Sequence, residues 1–101
     1  MTRYRMSDGM VVDTANASQT WEEATRWDGR NRISVATGSQ WHHQTLYRSR
    51  RGRYYLEMTS NYQSETPSAE WIDNKEAVRW LATNDHELPE DLQALADDLI
   101  D

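Results

Sequence analysis

Residues 44–58 read QTLYRSRRGRYYLEM, and the way this stretch pairs with itself decides the fold. Two apolar-aromatic runs, Thr45-Leu46-Tyr47 and Tyr54-Tyr55-Leu56, flank Ser49-Arg50-Arg51-Gly52-Arg53. Gly52 falls where a short hairpin needs a residue with positive φ, at the end of a type I turn with a G1 bulge. Glycine takes that conformation without a Cβ clash. The turn then sets Leu46 opposite Leu56, Tyr47 opposite Tyr55 and Arg48 opposite Tyr54. Side chains alternate along a strand, so Leu46, Arg48, Tyr54, Leu56 and Met58 share one face and Tyr47, Tyr55 and Glu57 the other. The first face is the expected core face. Arg50, Arg51 and Arg53 are expected in solvent at the tip. Arg48, Arg50, Arg51, Arg53 and Tyr54 make up the candidate nucleic-acid or anion-binding set, arginines for phosphate and tyrosine for base stacking. The plainer reading of the same residues is a charged, solvated turn on a half-buried hairpin.

Upstream, Arg3-Tyr4-Arg5-Met6 and Met10-Val11-Val12-Asp13-Thr14 flank Ser7-Asp8-Gly9, which predicts a first hairpin. Residues 15–27 leave helix and strand open: Ala17, Trp21, Ala24 and Trp27 line one side of a helix, and residues 20–27 alternate weakly. Asp28-Gly29 predicts a turn, and residues 33–37 a short strand stopped by Gly38-Ser39. His42 and His43 are neighbours in the next strand and point to opposite faces, a poor chelate. No HExxH-type spacing accompanies them, so no metal site is expected.

Downstream, residues 59–68 read as a polar loop with Pro67 as a stop. Asp73 with Glu76 three residues on forms a capping box, and Ile72 is placed to staple onto Ala77. The helix is expected to reach about Thr83, with Ala77, Val78, Leu81 and Ala82 inward, Trp80 at the core edge or an interface, and Asn84 as a left-handed stop. Pro89 opens a second helix over 90–100, on which Leu88, Leu92, Leu95 and Leu99 form one apolar stripe. Every charge on that helix is acidic. Glu90, Asp91, Asp97 and Asp98, with Trp80, are the candidate partner surface. The expected fold is α+β: a small antiparallel sheet of four or five strands built from hairpins, with two C-terminal helices.

At 101 residues the chain has the length of one domain, with a basic sheet-forming part (1–58) and an acidic helical part (69–101). Residues 1–55 carry nine arginines against five acids, a balance of +4. Residues 56–101 carry one lysine and one arginine against twelve acids, a balance of −10, and the two halves make the net −6. Ten residues are Trp or Tyr and none is Phe, so the core leans on aromatics whose N–H or O–H wants a partner. There is no cysteine, which excludes disulfides and thiolate sites. Neither a signal peptide nor a long apolar run is evident, so a soluble cytoplasmic protein away from membranes is expected. No P-loop, G-x-G-x-x-G or G-x-S-x-G occurs, and no cofactor is expected. His42 or His43 would form a general-base pair with Asp13 or Asp28 only if the fold joined them.

Three segments in order, Val12-Asp13-Thr14-Ala15, Thr45-Leu46-Tyr47-Arg48 leading to Gly52-Arg53-Tyr54-Tyr55-Leu56, and Glu76-Ala77-Val78-Arg79-Trp80-Leu81, span about two thirds of the chain. Together they resemble a loose group of small, largely uncharacterised bacterial proteins often encoded on plasmids, prophages and other mobile elements. The group reads roughly Y-D-T…A, L-Y-R-x-x-x-G-x-(F/W/Y)-(F/Y)-L and E-A-x-x-W-L. Its glycine-rich loop after the hairpin is replaced here by Thr59-Ser60-Asn61-Tyr62-Gln63-Ser64. The resemblance implies a shared fold and carries no site residue over. The expected function is a non-catalytic protein-interaction module, an accessory or inhibitory factor of anti-restriction, anti-CRISPR or antitoxin type, acting on a protein partner or forming a homo-oligomer. The alternatives are a nucleic-acid-binding regulator using the arginine hairpin, and a small-ligand binder or enzyme with a pocket lined by Trp21, Trp27 and Trp41.

Overall fold

The computed structural model describes residues 2–62 and 64–99, with backbone alone for 98 and 99. In chain order the strands are β1 (Arg3–Arg5), β2 (Val11–Asp13), β3 (Gln19–Glu22), β4 (Thr25–Trp27), β5 (Arg32–Ser34), β6 (His42–Arg48), β7 (Tyr54–Ser60) and β8 (Ser68–Ile72). Two helices follow, α1 (Asn74–Thr83) and α2 (Glu90–Leu99). Strands β3-β6-β7-β8 form one antiparallel sheet, and β1-β2 and β4-β5 form two-stranded ribbons. The α+β expectation holds.

The central hairpin has the predicted register, with Leu46 opposite Leu56, Tyr47 opposite Tyr55 and Arg48 opposite Tyr54. Its turn closes through Ser49 N–H to Arg53 O at 2.7 Å and Gly52 N–H to Ser49 O at 3.0 Å. Gly52 has φ +89°, a conformation that a side chain would strain.

One face of this sheet meets the helices. Leu46, Tyr54 and Leu56 pack with Ala77, Val78, Trp80, Leu81, Leu92 and Ala96. Burying each leucine there contributes about 2 kcal/mol. Asp73 caps α1 by accepting the Glu76 N–H at 2.8 Å. The helix ends in a Schellman motif: His86 N–H bonds Leu81 O at 2.9 Å and Asp85 N–H bonds Ala82 O at 3.3 Å. The left-handed residue is Asp85 (φ 60°), one place beyond the expected Asn84, whose φ is −98°. Asn84 is buried instead, donating from Nδ2 to Trp80 O at 2.8 Å and accepting the Ala24 N–H at 2.9 Å. It thereby ties the helix end to the approach of β4. Ala82, expected inward, is exposed, because it lies one turn on from Val78 and just past the edge of the buried stripe of Ala77, Val78, Trp80 and Leu81.

The other face of the sheet is covered too. Tyr55 packs with Met6 and Val12 of the first hairpin, with Tyr4, Tyr47, Ala69 and Trp71 around them. Three layers result, with the first hairpin opposite the helices.

Residues 15–27 resolve into a 3-10 turn (Thr14–Asn16), β3 and β4. The predicted strand at 33–37 is shorter and shifted, Arg32–Ser34, and pairs back onto β4 around Asp28-Gly29. The expected helical part begins at 74 rather than 69, because residues 68–72 add a strand to the edge of β7. Among the described residues no helix is long and apolar enough to cross a membrane.

Candidate functional site

The turn of the central hairpin and the first hairpin are held side by side. Asp8, in the β1–β2 turn, accepts from Arg53 Nη1 at 3.1 Å. The Arg53 guanidinium lies 3.9 Å over the Trp71 ring. The Met10 N–H, then the nearby Trp71 indole and then Arg53 hold the Asp8 carboxyl below its usual range. Arg53 is exposed at the tip, as expected, and also clamps the two hairpins together.

Between these hairpins lies an open groove of about 750 Å³. Arg3, Arg50 and Arg51 rim it, and Val11, Val12 and Trp71 give it an apolar wall. Arg50 and Arg51 are exposed and, among the described residues, form no ion pair. Arg3 is paired with Asp13 at 3.3 Å. The Ala15 N–H, followed by Arg3, keeps the Asp13 carboxyl low. Tyr55 lines the groove and is 1% exposed, and its hydroxyl has no hydrogen-bond partner among the described residues. Burial, with Tyr47, Glu57 and Asp13 nearby, pushes its pKa up to about 12, so the hydroxyl stays protonated.

Arg48 and Tyr54, expected with the tip arginines, lie on the opposite face of the sheet. The Tyr54 hydroxyl donates to Asp91 at 2.9 Å, and Arg48 Nη2 approaches the same carboxylate at 3.5 Å. Strand alternation is the reason: 48 pairs with 54, and 53 and 55 face away from both. Tyr54 is buried at 1% and offers no stacking face. Burial and then the Asp91 carboxylate drive its pKa well above the ordinary tyrosine value.

The expected partner surface is likewise divided. Trp80 is 8% exposed and its indole donates to Gln44 Oε1 at 2.9 Å, so it is a core residue. Asp91 is engaged by Tyr54 and Arg48, whereas Glu90 and Asp97 are exposed. The Asp98 and Leu99 side chains lie outside the described residues.

The two histidines find separate acids. His42 Nε2 lies 3.2 Å from Glu65 and His43 Nδ1 lies 3.0 Å from Glu23. Among the described residues no three His, Asp or Glu are grouped to hold a metal. The three tryptophans of the pocket alternative go different ways. Trp21 packs near Tyr54 at the core, Trp27 is 63% exposed on β4, and Trp41 stacks on Tyr62 with centroids 5.3 Å apart.

Two features escaped the sequence reading. The β4-β5 ribbon presents Arg26, Trp27, Arg30 and Arg32, all exposed, around an Asp28 whose carboxylate accepts the Arg30 and Asn31 N–H groups at 2.8 and 2.7 Å. Its signal was the Asp28-Gly29 pair between Thr25-Arg26-Trp27 and Arg32-Ile33-Ser34. The unpartnered Tyr55 hydroxyl leaves no trace in sequence. Set against family models, curated proteins and solved structures, the chain matches none, and the site rests on its own geometry.

Proposed function

We propose that this chain is a non-catalytic protein-interaction module. The observation that carries the reading is the set of aromatics that folding leaves outside. Trp27 is 63% exposed, Tyr62 44% and Trp41 42%. Trp41 and Tyr62 are stacked on each other, with His42 at 5.8 Å from Tyr62, which presents a pre-ordered aromatic platform. Tryptophan and tyrosine dominate interface hot spots because they bury much area at little entropic cost. A chain of mean hydropathy −1.00 that keeps three such rings in water spends scarce apolar surface on something other than its core. The acidic C-terminal half steers a basic partner toward it. Inhibition of a basic host enzyme on behalf of a mobile element fits that charge and the resemblance of the three segments above.

The test is cross-linking with mass spectrometry in host extract and sedimentation of the purified chain. The wild type should give a discrete complex, with a partner or with itself, that Trp41→Ala/Tyr62→Ala abolishes while the circular dichroism is unchanged. A complex indifferent to that double variant and to Trp27→Ala contradicts the reading.

A further inference from the structure

The groove beside the central turn joins two things that folding alone does not need. The first is a pair of exposed arginines, Arg50 and Arg51, with no acidic partner among the described residues. The second is the buried Tyr55 hydroxyl, which has no hydrogen-bond partner among the described residues although its residue lines the groove. A buried hydroxyl without a partner is a cost to the fold, and a donor held protonated is suited to an anionic oxygen. The acid within the groove, Asp13, is already answered by Arg3 and by the Ala15 N–H.

We propose that this groove is a binding site for a phosphate ester of mononucleotide size. Arg50 and Arg51 take the phosphate, the Tyr55 hydroxyl donates to a ligand oxygen on the groove floor, and Val11, Val12 and Trp71 receive the apolar body. A volume of about 750 Å³ suits a ligand of that size. The mixed lining separates it from a bare oxyanion site, which has no use for an apolar wall. The net charge of −6 disfavours a long polyanion and favours a compact ligand. This site is independent of the aromatic platform assigned to the protein partner.

Isothermal titration of the whole chain with a nucleoside monophosphate, the unphosphorylated nucleoside, inorganic phosphate and a short DNA single strand tests the assignment. Saturable binding of the monophosphate, tighter than nucleoside or phosphate alone, is expected. Tyr55→Phe should weaken it about tenfold without lowering thermal stability, because a lost charge-assisted hydrogen bond is of that order. Arg50→Ala/Arg51→Ala, on an exposed turn, should weaken it further and leave the fold intact. No saturable binding overturns the proposal. So do inorganic phosphate binding as tightly as the ester, binding to the single strand alone, or affinity unchanged in both variants.

Discussion

Tyr54 and Tyr55 are consecutive, equally buried at 1%, and lie on opposite faces of one sheet. On the helix side Tyr54 donates to Asp91, and the Trp80 indole beside the same core donates to Gln44. On the hairpin side Tyr55 packs as tightly, stacked on Tyr47 at 5.1 Å and edge-on to Trp71 at 5.7 Å, yet its hydroxyl finds no partner among the described residues. Packing and polar satisfaction are therefore separate properties of the two faces. The helix face satisfies its buried tyrosine and indole and leaves Arg48 Nε, whose guanidinium reaches Asp91 through Nη2, without a hydrogen bond among the described residues. The hairpin face is closed by a smaller cluster and borders an open groove.

Alkaline pH should separate folded from unfolded chains most strongly, and it weighs on the hairpin face. Tyr4, Tyr47, Tyr54 and Tyr55 all have raised pKa values, first through burial, and three of the four lie on that side. Each stays protonated in the folded chain while its unfolded counterpart ionises near pH 10. The unfolded state then binds fewer protons, so stability falls as pH rises above about 10. Urea unfolding followed between pH 8 and about 11 should show the midpoint flat at first and then dropping. A midpoint that stays flat throughout contradicts the burial of these hydroxyls.

Core truncations compare the faces directly. Leu46→Ala, in the helix-side core, should cost about 3 kcal/mol, because its neighbours from two helices cannot close the cavity. Met6→Ala should cost about 2 kcal/mol, since the smaller cluster collapses more readily. Equal losses in urea melts would show that the first hairpin is as firmly integrated as the helices.

Much of this division was present in the sequence. The spacing of Gly52 between two aromatic runs fixes the register, and the register assigns Leu46 and Tyr54 to one face and Tyr47 and Tyr55 to the other. The Asp73–Glu76 spacing marks the start of α1. Strand β8 was hidden because Ser68 to Ile72 is short, half polar and merges into the helix cap. The site was less visible. Nothing local to Arg53 says that Asp8, forty-five residues away, will claim it. Nor does anything local to Asp91 assign it to Tyr54 and Arg48. Charge and composition mark which residues are available, but long-range pairing decides which remain free.

The most direct test is the stability of Tyr54→Phe against Tyr55→Phe in urea at neutral pH. Tyr54→Phe should lose about 1–2 kcal/mol, because it removes a charged hydrogen bond from the helix side. Tyr55→Phe should fall within about 0.5 kcal/mol of the wild type or exceed it, because its hydroxyl contributes no bond to the fold. A loss for Tyr55→Phe as large as that for Tyr54→Phe would mean that the hairpin-side hydroxyl is satisfied within the fold, and that the groove holds no donor reserved for a ligand.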